Sequence, residues 1–307
     1  MNRRREPPGR CAHPTRPRVV FHTITGMKHS RLAIIGVGLI GGSVGLAAKR
    51  RGPATHVVGV GRDERNLARA LQLGAIDAHT NSIAEAVADS DFIVVCTPVD
   101  RVAIDVLEAA CHAPTSALIT DVGSTKGNIL AALRGKLGKN RPRFIGSHPL
   151  AGSEKRGAAH ANAELFDGKL VIVTPESDTD PEATAFIELF WATLGARTLR
   201  MTAQSHDEAL AITSHLPHAV ASAMAGITPE GWLMLTAGGF RDTTRVAGGD
   251  AELWAAIFRA NRTAMLAGLA RFQQRWTQLG ALLTADDQTG LVQWLQDGKR
   301  IRDALGS

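Results

Sequence analysis

The segment Gly36-Val-Gly38-Leu39-Ile40-Gly41 constrains this chain more than any other. It follows the apolar run 31–35 and opens a helical stretch over 39–51. In a G-x-G-x-x-G turn between strand and helix, the first glycine permits a tight turn. The second lets the backbone approach a pyrophosphate, and the third packs helix against strand. The N-terminus of the helix favours the anion. Gly36, Gly38, Leu39, Ile40 and Gly41 are therefore a candidate dinucleotide cradle. The bland alternative is a glycine-rich turn without a ligand.

The pattern around that loop agrees. Further strands are predicted over 56–60, 92–96, 117–121 and 143–146, with helices over 63–73, 102–111 and 126–137. Short β-branched runs alternating with helices predict a parallel, doubly wound sheet. The run 170–174 and a helix over 181–194 are expected to extend the same domain. Past about residue 201 strand patterns stop. Helices are predicted over 204–225, 229–237, 250–279 and 285–305, with stripes rich in Ala and Leu. Those stripes, with Trp254, Trp276 and Trp294, could bury against a second subunit as readily as within one chain. The expected fold is α/β: a Rossmann-type doubly wound sheet over 30–200, then an all-helical dimerisation domain over 201–307.

Composition narrows the function classes. Hydrophobic residues are 44% and charged residues 21%, which excludes a disordered chain. No apolar run approaches the length of a membrane-spanning helix, so no membrane partner is expected. The net charge is +6, but six arginines against one acid (Glu6) in residues 1–27 supply nearly all of it. A basic tail, not a basic surface, argues against a nucleic-acid partner. Residues 1–29 read as a disordered Pro/Arg-rich tail, with Met27 as the natural start, or an inert tail, favoured over a targeting peptide. Cys11, Cys96 and Cys111 form neither metal spacing nor a disulfide framework, which points to the cytoplasm. Tyrosine is absent altogether.

Cofactor choice turns on the end of the second strand. Gly61 stands where NAD enzymes usually carry an acid, and Arg62 follows. An arginine there pairs with a 2′-phosphate, so NADP is favoured over NAD. Asp63 is the counterweight, because a small shift in register would restore the acid. Arg62 could equally be a solvated surface charge.

Loops at the carboxyl ends of later strands complete the candidate site: Thr97 and Pro98, then Ser124 and Lys126, then His148. His148 could accept a proton near neutral pH. Ser124 or Thr125 could instead simply cap the next helix. His215 and His218 sit one helical turn apart, but no third residue has metal-ligand spacing, so no metal is expected. A core or polar-network role is the ordinary reading for either. Arg241 and Arg245 offer guanidinium groups for a carboxylate, or else surface salt bridges.

The ordered motifs GVGLIGGS, TDVGSTKG, GSHPLAGSEKRG, SHLPH and GGFRDTTRVA resemble the prephenate/arogenate dehydrogenase family of tyrosine biosynthesis. The similarity runs from about residue 30 to 305. It implies an oxidative decarboxylation of prephenate or arogenate by a homodimer using NADP or NAD. It further implies that His148 takes the proton of the substrate C4 hydroxyl and that Ser124 orients both. Arg245 would bind a substrate carboxylate. Ser153, Glu154, Ser214, His218, Gly238 and Trp254 would line the pocket. A fused chorismate mutase or an appended regulatory ACT domain is not expected. A β-hydroxyacid-type dehydrogenase is the competing enzyme reading, but such enzymes typically place a catalytic lysine in the helical domain, and 204–280 contains none. A non-catalytic NADP-binding homologue is the reading from another class.

Overall fold

The computed structural model describes residues 31–52, 54–138, 143–152 and 155–306. The tail, the Met27 start, Ser153 and Glu154 lie outside the described residues.

The chain begins with β1 (Arg31–Ile35), α1 (Leu39–Arg51), β2 (His56–Val60) and α2 (Glu64–Gln72). The Asp63 carboxylate caps α2, accepting from the N–H groups of Arg65 at 3.0 Å and Asn66 at 3.3 Å. Such a cap contributes about 1 kcal/mol. There follow β3 (Ala78–Thr80), α3 (Ile83–Val87), β4 (Phe92–Val95), α4 (Val102–His112), β5 (Leu118–Asp121), α5 (Gly127–Leu133) and β6 (Arg143–Phe144). All six strands are parallel, in the order β3-β2-β1-β4-β5-β6. Leu32 and Ile34 pack into one core layer, Ala33 and Ile35 into the other. A strand covered on both faces needs a continuous apolar run, which is what β1 and β4 carry. The strand order reverses direction between β1 and β4, and the glycine loop leaves the sheet at that crevice.

The expected strand over 143–146 is two strands in two sheets. β6 ends at Phe144, and β7 (Gly146–Pro149) starts a separate sheet with β8 (Leu170–Thr174) and β9 (Arg197–Arg200). β7 and β8 are antiparallel, β8 and β9 parallel. The run 170–174 thus extends the domain without joining the first sheet, because an apolar run is buried equally well in either. Buried hydroxyls make the crossing: Thr120 Oγ1 donates to the Ile145 carbonyl at 2.7 Å and lies 2.8 Å from Ser147 Oγ. α6 (Pro181–Thr193) places Ile187, Phe190 and Trp191 in the core beside both sheets.

The remainder is helical. α7 (Ala203–Leu210) runs through a π-turn, Ala211–His215, into α8 (Leu216–Gly226). A 3₁₀ turn (Glu230–Leu235), α9 (Gly238–Thr244) and a second 3₁₀ turn (Arg245–Gly248) follow. The chain then forms α10 (Ala251–Ala260), α11 (Arg262–Thr284) and α12 (Gln288–Asp303). The helix expected over 250–279 breaks at Asn261, whose φ of −103° and ψ of 30° leave the helical range. Its side-chain amide instead donates to the Asp207 carbonyl at 2.8 Å and approaches His215 Nδ1 at 3.1 Å. Among the described residues no helix is long and apolar enough to cross a membrane.

Candidate active site

The glycine loop meets the steric requirements of a dinucleotide. Gly36 has φ +94°, and a Cβ there would lie 2.9 Å from the Cys96 carbonyl group. A Cβ on Gly41 would overlap the Gly36 carbonyl oxygen. Gly38 has nothing within 4 Å of its Cβ position, so the backbone there is open to an approaching phosphate. α1 has no side-chain cap and no acid in its first turn, leaving the N–H groups of Leu39, Ile40 and Gly41 for an anion. These residues fit a bound pyrophosphate. At the rim Arg62 is exposed, while Asp63 is engaged as the cap of α2. Thr97 Oγ1 is tied to Asp105 Oδ2 at 2.6 Å, and Pro98 is exposed beside it.

Asp121 fixes the floor of the site. Its Oδ2 accepts from Gly123 N–H at 2.8 Å and pairs with the buried ammonium of Lys126. Its Oδ1 accepts from Ser147 N–H at 3.2 Å, and its carbonyl accepts from Ser147 Oγ at 2.6 Å. Trp191 Nε1 donates to the same Ser147 hydroxyl at 3.0 Å. β7 is thereby fastened to the end of β5, and the next residue on β7 is His148. Burial pushes the Lys126 pKa down, against the pull of Asp121. Burial also raises the Cys96 thiol well above its ordinary range, so it stays protonated.

His148 is buried, and its Nδ1 lies 2.8 Å from Nε2 of His206, a residue the sequence reading did not single out. His206 Nδ1 in turn lies 2.8 Å from Asp207 Oδ1. Asp207 also caps α5 across the domain junction, accepting from Lys126 N–H and Gly127 N–H, each at 2.8 Å. That replaces the local cap considered for Ser124 or Thr125; Thr125 Oγ1 bonds Asn128 instead, at 2.6 Å. Ser124 is half-buried in the same turn and makes no hydrogen bond to His148 among the described residues. Burial, then the neighbouring His206, Lys126 and His215, hold His148 well below the usual histidine range, so it rests neutral. For Asp207 burial acts upward, but the bonds from His206, Lys126 and Gly127 prevail and keep its carboxyl below the usual value.

The helical side supplies an aromatic wall. His218 stacks on Trp254 with ring centroids 3.7 Å apart and 15° between planes, and His215 meets Trp254 edge-on at 6.2 Å. His218 is buried, its pKa is lowered by burial, and its Nδ1 has no hydrogen-bond partner among the described residues. Burial pushes His215 down to about 4. Gly249 closes the wall: a Cβ there would lie 2.6 Å from Trp254 Nε1 and 2.9 Å from His218 Cε1. Ser214 sits half-buried in the π-turn, a distortion frequent at functional sites. Gly238 and Arg245 are exposed, at the starts of α9 and of the second 3₁₀ turn. A cleft of about 1430 Å³ opens beyond Asp207, lined by Asn128, Arg134, Arg259 and Arg271 among others; none of the expected site residues lines it. No group of three or more His, Cys, Asp or Glu side chains among the described residues is placed to hold a metal ion.

A dinucleotide cradle, a buried neutral histidine and a helical wall facing it define a two-domain, dinucleotide-dependent oxidoreductase. Residues 44–200 match the family model described as prephenate dehydrogenase, nucleotide-binding domain, and residues 202–297 match prephenate dehydrogenase, dimerization domain. The chain belongs to the prephenate dehydrogenase family. It is 36% identical to a cyclohexadienyl dehydrogenase from Zymomonas mobilis, over 92% of this chain and 97% of that protein. The crystal structure of prephenate dehydrogenase from Aquifex aeolicus, in complex with hydroxyphenyl propionate and NAD+, superposes with a TM-score of 0.85. It is 30% identical and covers 92% of this chain and 100% of that one. The arogenate dehydrogenase of Synechocystis superposes with a TM-score of 0.76 at 29% identity, covering 90% and 99%.

Proposed function

We propose that this chain carries out the oxidative decarboxylation of prephenate or arogenate in tyrosine biosynthesis, with His148 as the base. The observation that carries the reading is the buried, neutral His148, held at the carboxyl end of β5, two strands along the sheet from the β1 that feeds the glycine loop. His148 accepts the proton of the substrate C4 hydroxyl as that carbon is oxidised, and loss of CO2 then makes the ring aromatic. When bound, the dinucleotide supplies the hydride acceptor. Arg245 holds a substrate carboxylate, and Ser124 hydrogen-bonds the reacting hydroxyl. Ser214, Gly238, His218 and Trp254 line the substrate pocket; Ser153 and Glu154, expected there from the resemblance, lie outside the described residues. His218 Nδ1, without a hydrogen-bond partner among the described residues, supports a polar ligand at the aromatic wall.

The cofactor is NAD(P), and we favour NADP. The support is an exposed Arg62 beside an Asp63 already committed to capping α2. We divide the chain near residue 200 and read the helical part as the interface of a homodimer. The match to a dimerization domain and the exposed Ile227, Trp232, Met234 and Leu235 support this. Free thiols at Cys96 and Cys111 favour the cytoplasm. The test is nicotinamide reduction, followed by absorbance, with each of the two substrates and each of the two cofactors. Turnover with at least one pair is expected; no turnover with any pair contradicts the reading.

A further inference from the structure

We propose that His206 and Asp207 are positioning residues that hold the His148 ring in the tautomer with its proton on Nδ1 and its lone pair on Nε2. The inference rests on the reading of His148 as the base, and it adds how that base is kept competent.

Donors and acceptors along the chain from Asp207 to His148 set the proton positions. Backbone N–H groups can only donate, and those of Lys126 and Gly127 each point at one oxygen of Asp207 from 2.8 Å. Asp207 is thus the accepting end of the chain. His206 Nδ1, 2.8 Å from Asp207 Oδ1, must be the donor of that pair. A neutral imidazole with its proton on Nδ1 has its lone pair on Nε2. His206 Nε2 therefore accepts, and its partner at 2.8 Å, His148 Nδ1, donates. With both imidazoles neutral, one proton arrangement satisfies all four contacts, and it leaves His148 Nε2 free to take a proton. His206 is fully buried, so water cannot substitute for either partner.

The same chain favours the product of the proton transfer. Once His148 Nε2 has gained the hydroxyl proton, the imidazolium donates from Nδ1 through His206 toward an anionic carboxylate. The other titratable groups around His148 are Lys126 and Asp121 from the β5 side and His215 from the π-turn. Lys126 is paired with Asp121 and His215 is neutral above about pH 4, so among these groups the negative end facing the new charge is Asp207. Asp207 reaches this position from the first helix of the C-terminal half, while His148 belongs to the N-terminal half. The base is made competent by the docking of one half on the other.

The test uses the full chain labelled with ¹⁵N-histidine, the His148 signals being assigned by their loss in His148→Asn. In the wild type, His148 Nδ1 is expected to be protonated and Nε2 not. In His206→Leu that preference is expected to be lost. kcat should then fall by about 10²-fold or more, with KM and dinucleotide affinity within about twofold. The acid limb of the kcat–pH profile should also move. His206→Gln, whose amide oxygen can accept from Nδ1–H, should restore the tautomer and part of the rate even if the leucine variant folds poorly. An Nε2-protonated His148 in the wild type would overturn the proposal. So would a tautomer and pH profile that survive His206→Leu unchanged. If His148→Asn proves fully active, the base reading fails instead, and the tautomer measurement still reports on the pair.

Discussion

Residues 31–200 close their apolar surface inside one chain, whereas the helices beyond 201 leave theirs open. Among the described residues, only Leu71, Ile104, Leu150 and Leu199 of the exposed large hydrophobic side chains precede residue 201. Past that point Ile227, Trp232, Leu233, Met234, Leu235, Trp276, Leu283, Leu295 and Ile301 are all exposed. The buried apolar residues there are few: Leu210, Ala211, Leu216, Ala221, Ile257 and Met265. A parallel sheet finds cover for both faces in its own crossover helices. The C-terminal helices bury one stripe against the sheet domain and leave the other exposed. The site lies where the two regimes meet, with a carboxylate of the open half capping a helix of the closed half.

The largest expected effect breaks this contrast directly. Met234→Glu with Leu235→Glu should convert a dimer to monomers in sedimentation at micromolar concentration, while Ile104→Glu on the sheet domain should leave assembly intact. Monomers in the wild type, or a dimer that survives both glutamates, would remove the distinction. Next comes the anion clamp: Arg245→Ala should raise KM at least about tenfold with little change in kcat, through loss of a charged partner. An unchanged KM would move the clamp to Arg241.

A smaller effect concerns pH. His215 takes up a proton near pH 6.5 when unfolded and near 4 when folded. Between those values the unfolded state binds more protons, so the contribution of His215 is present above about pH 6.5 and is lost as pH falls toward 4. Tm should drop across that window, and His215→Gln should flatten the slope. Smallest is cofactor choice. Arg62→Ala should weaken NADP relative to NAD by roughly fivefold, an exposed ion pair being worth little. Equal weakening of both would remove the 2′-phosphate role.

The parallel sheet was legible because its signals are local. An apolar run, a glycine turn and a helical stripe each sit within a dozen residues, and β1, α1 and β2 fall where those signals place them. Short elements without a strong run were not: β3 is half-buried along its length, and α3 is five residues long, marked by the Ser82 cap and Glu85 in its first turn. The break at Asn261 was hidden because the apolar periodicity runs straight through it. What stops the helix is a bond to Asp207, 54 residues away. The same distance problem hid His206. In the sequence it is one histidine in an ordinary helix start, and its partner His148 is 58 residues earlier on another sheet. The adjacent His-Asp pair was a visible signal, but spacing alone does not say where it points.

The most direct test of the account is single-turnover hydride transfer by His148→Asn, with dinucleotide and substrate binding measured on the same protein. The account predicts a rate lower by about 10²–10⁴-fold with both affinities nearly unchanged. A rate within about twofold of the wild type would contradict it.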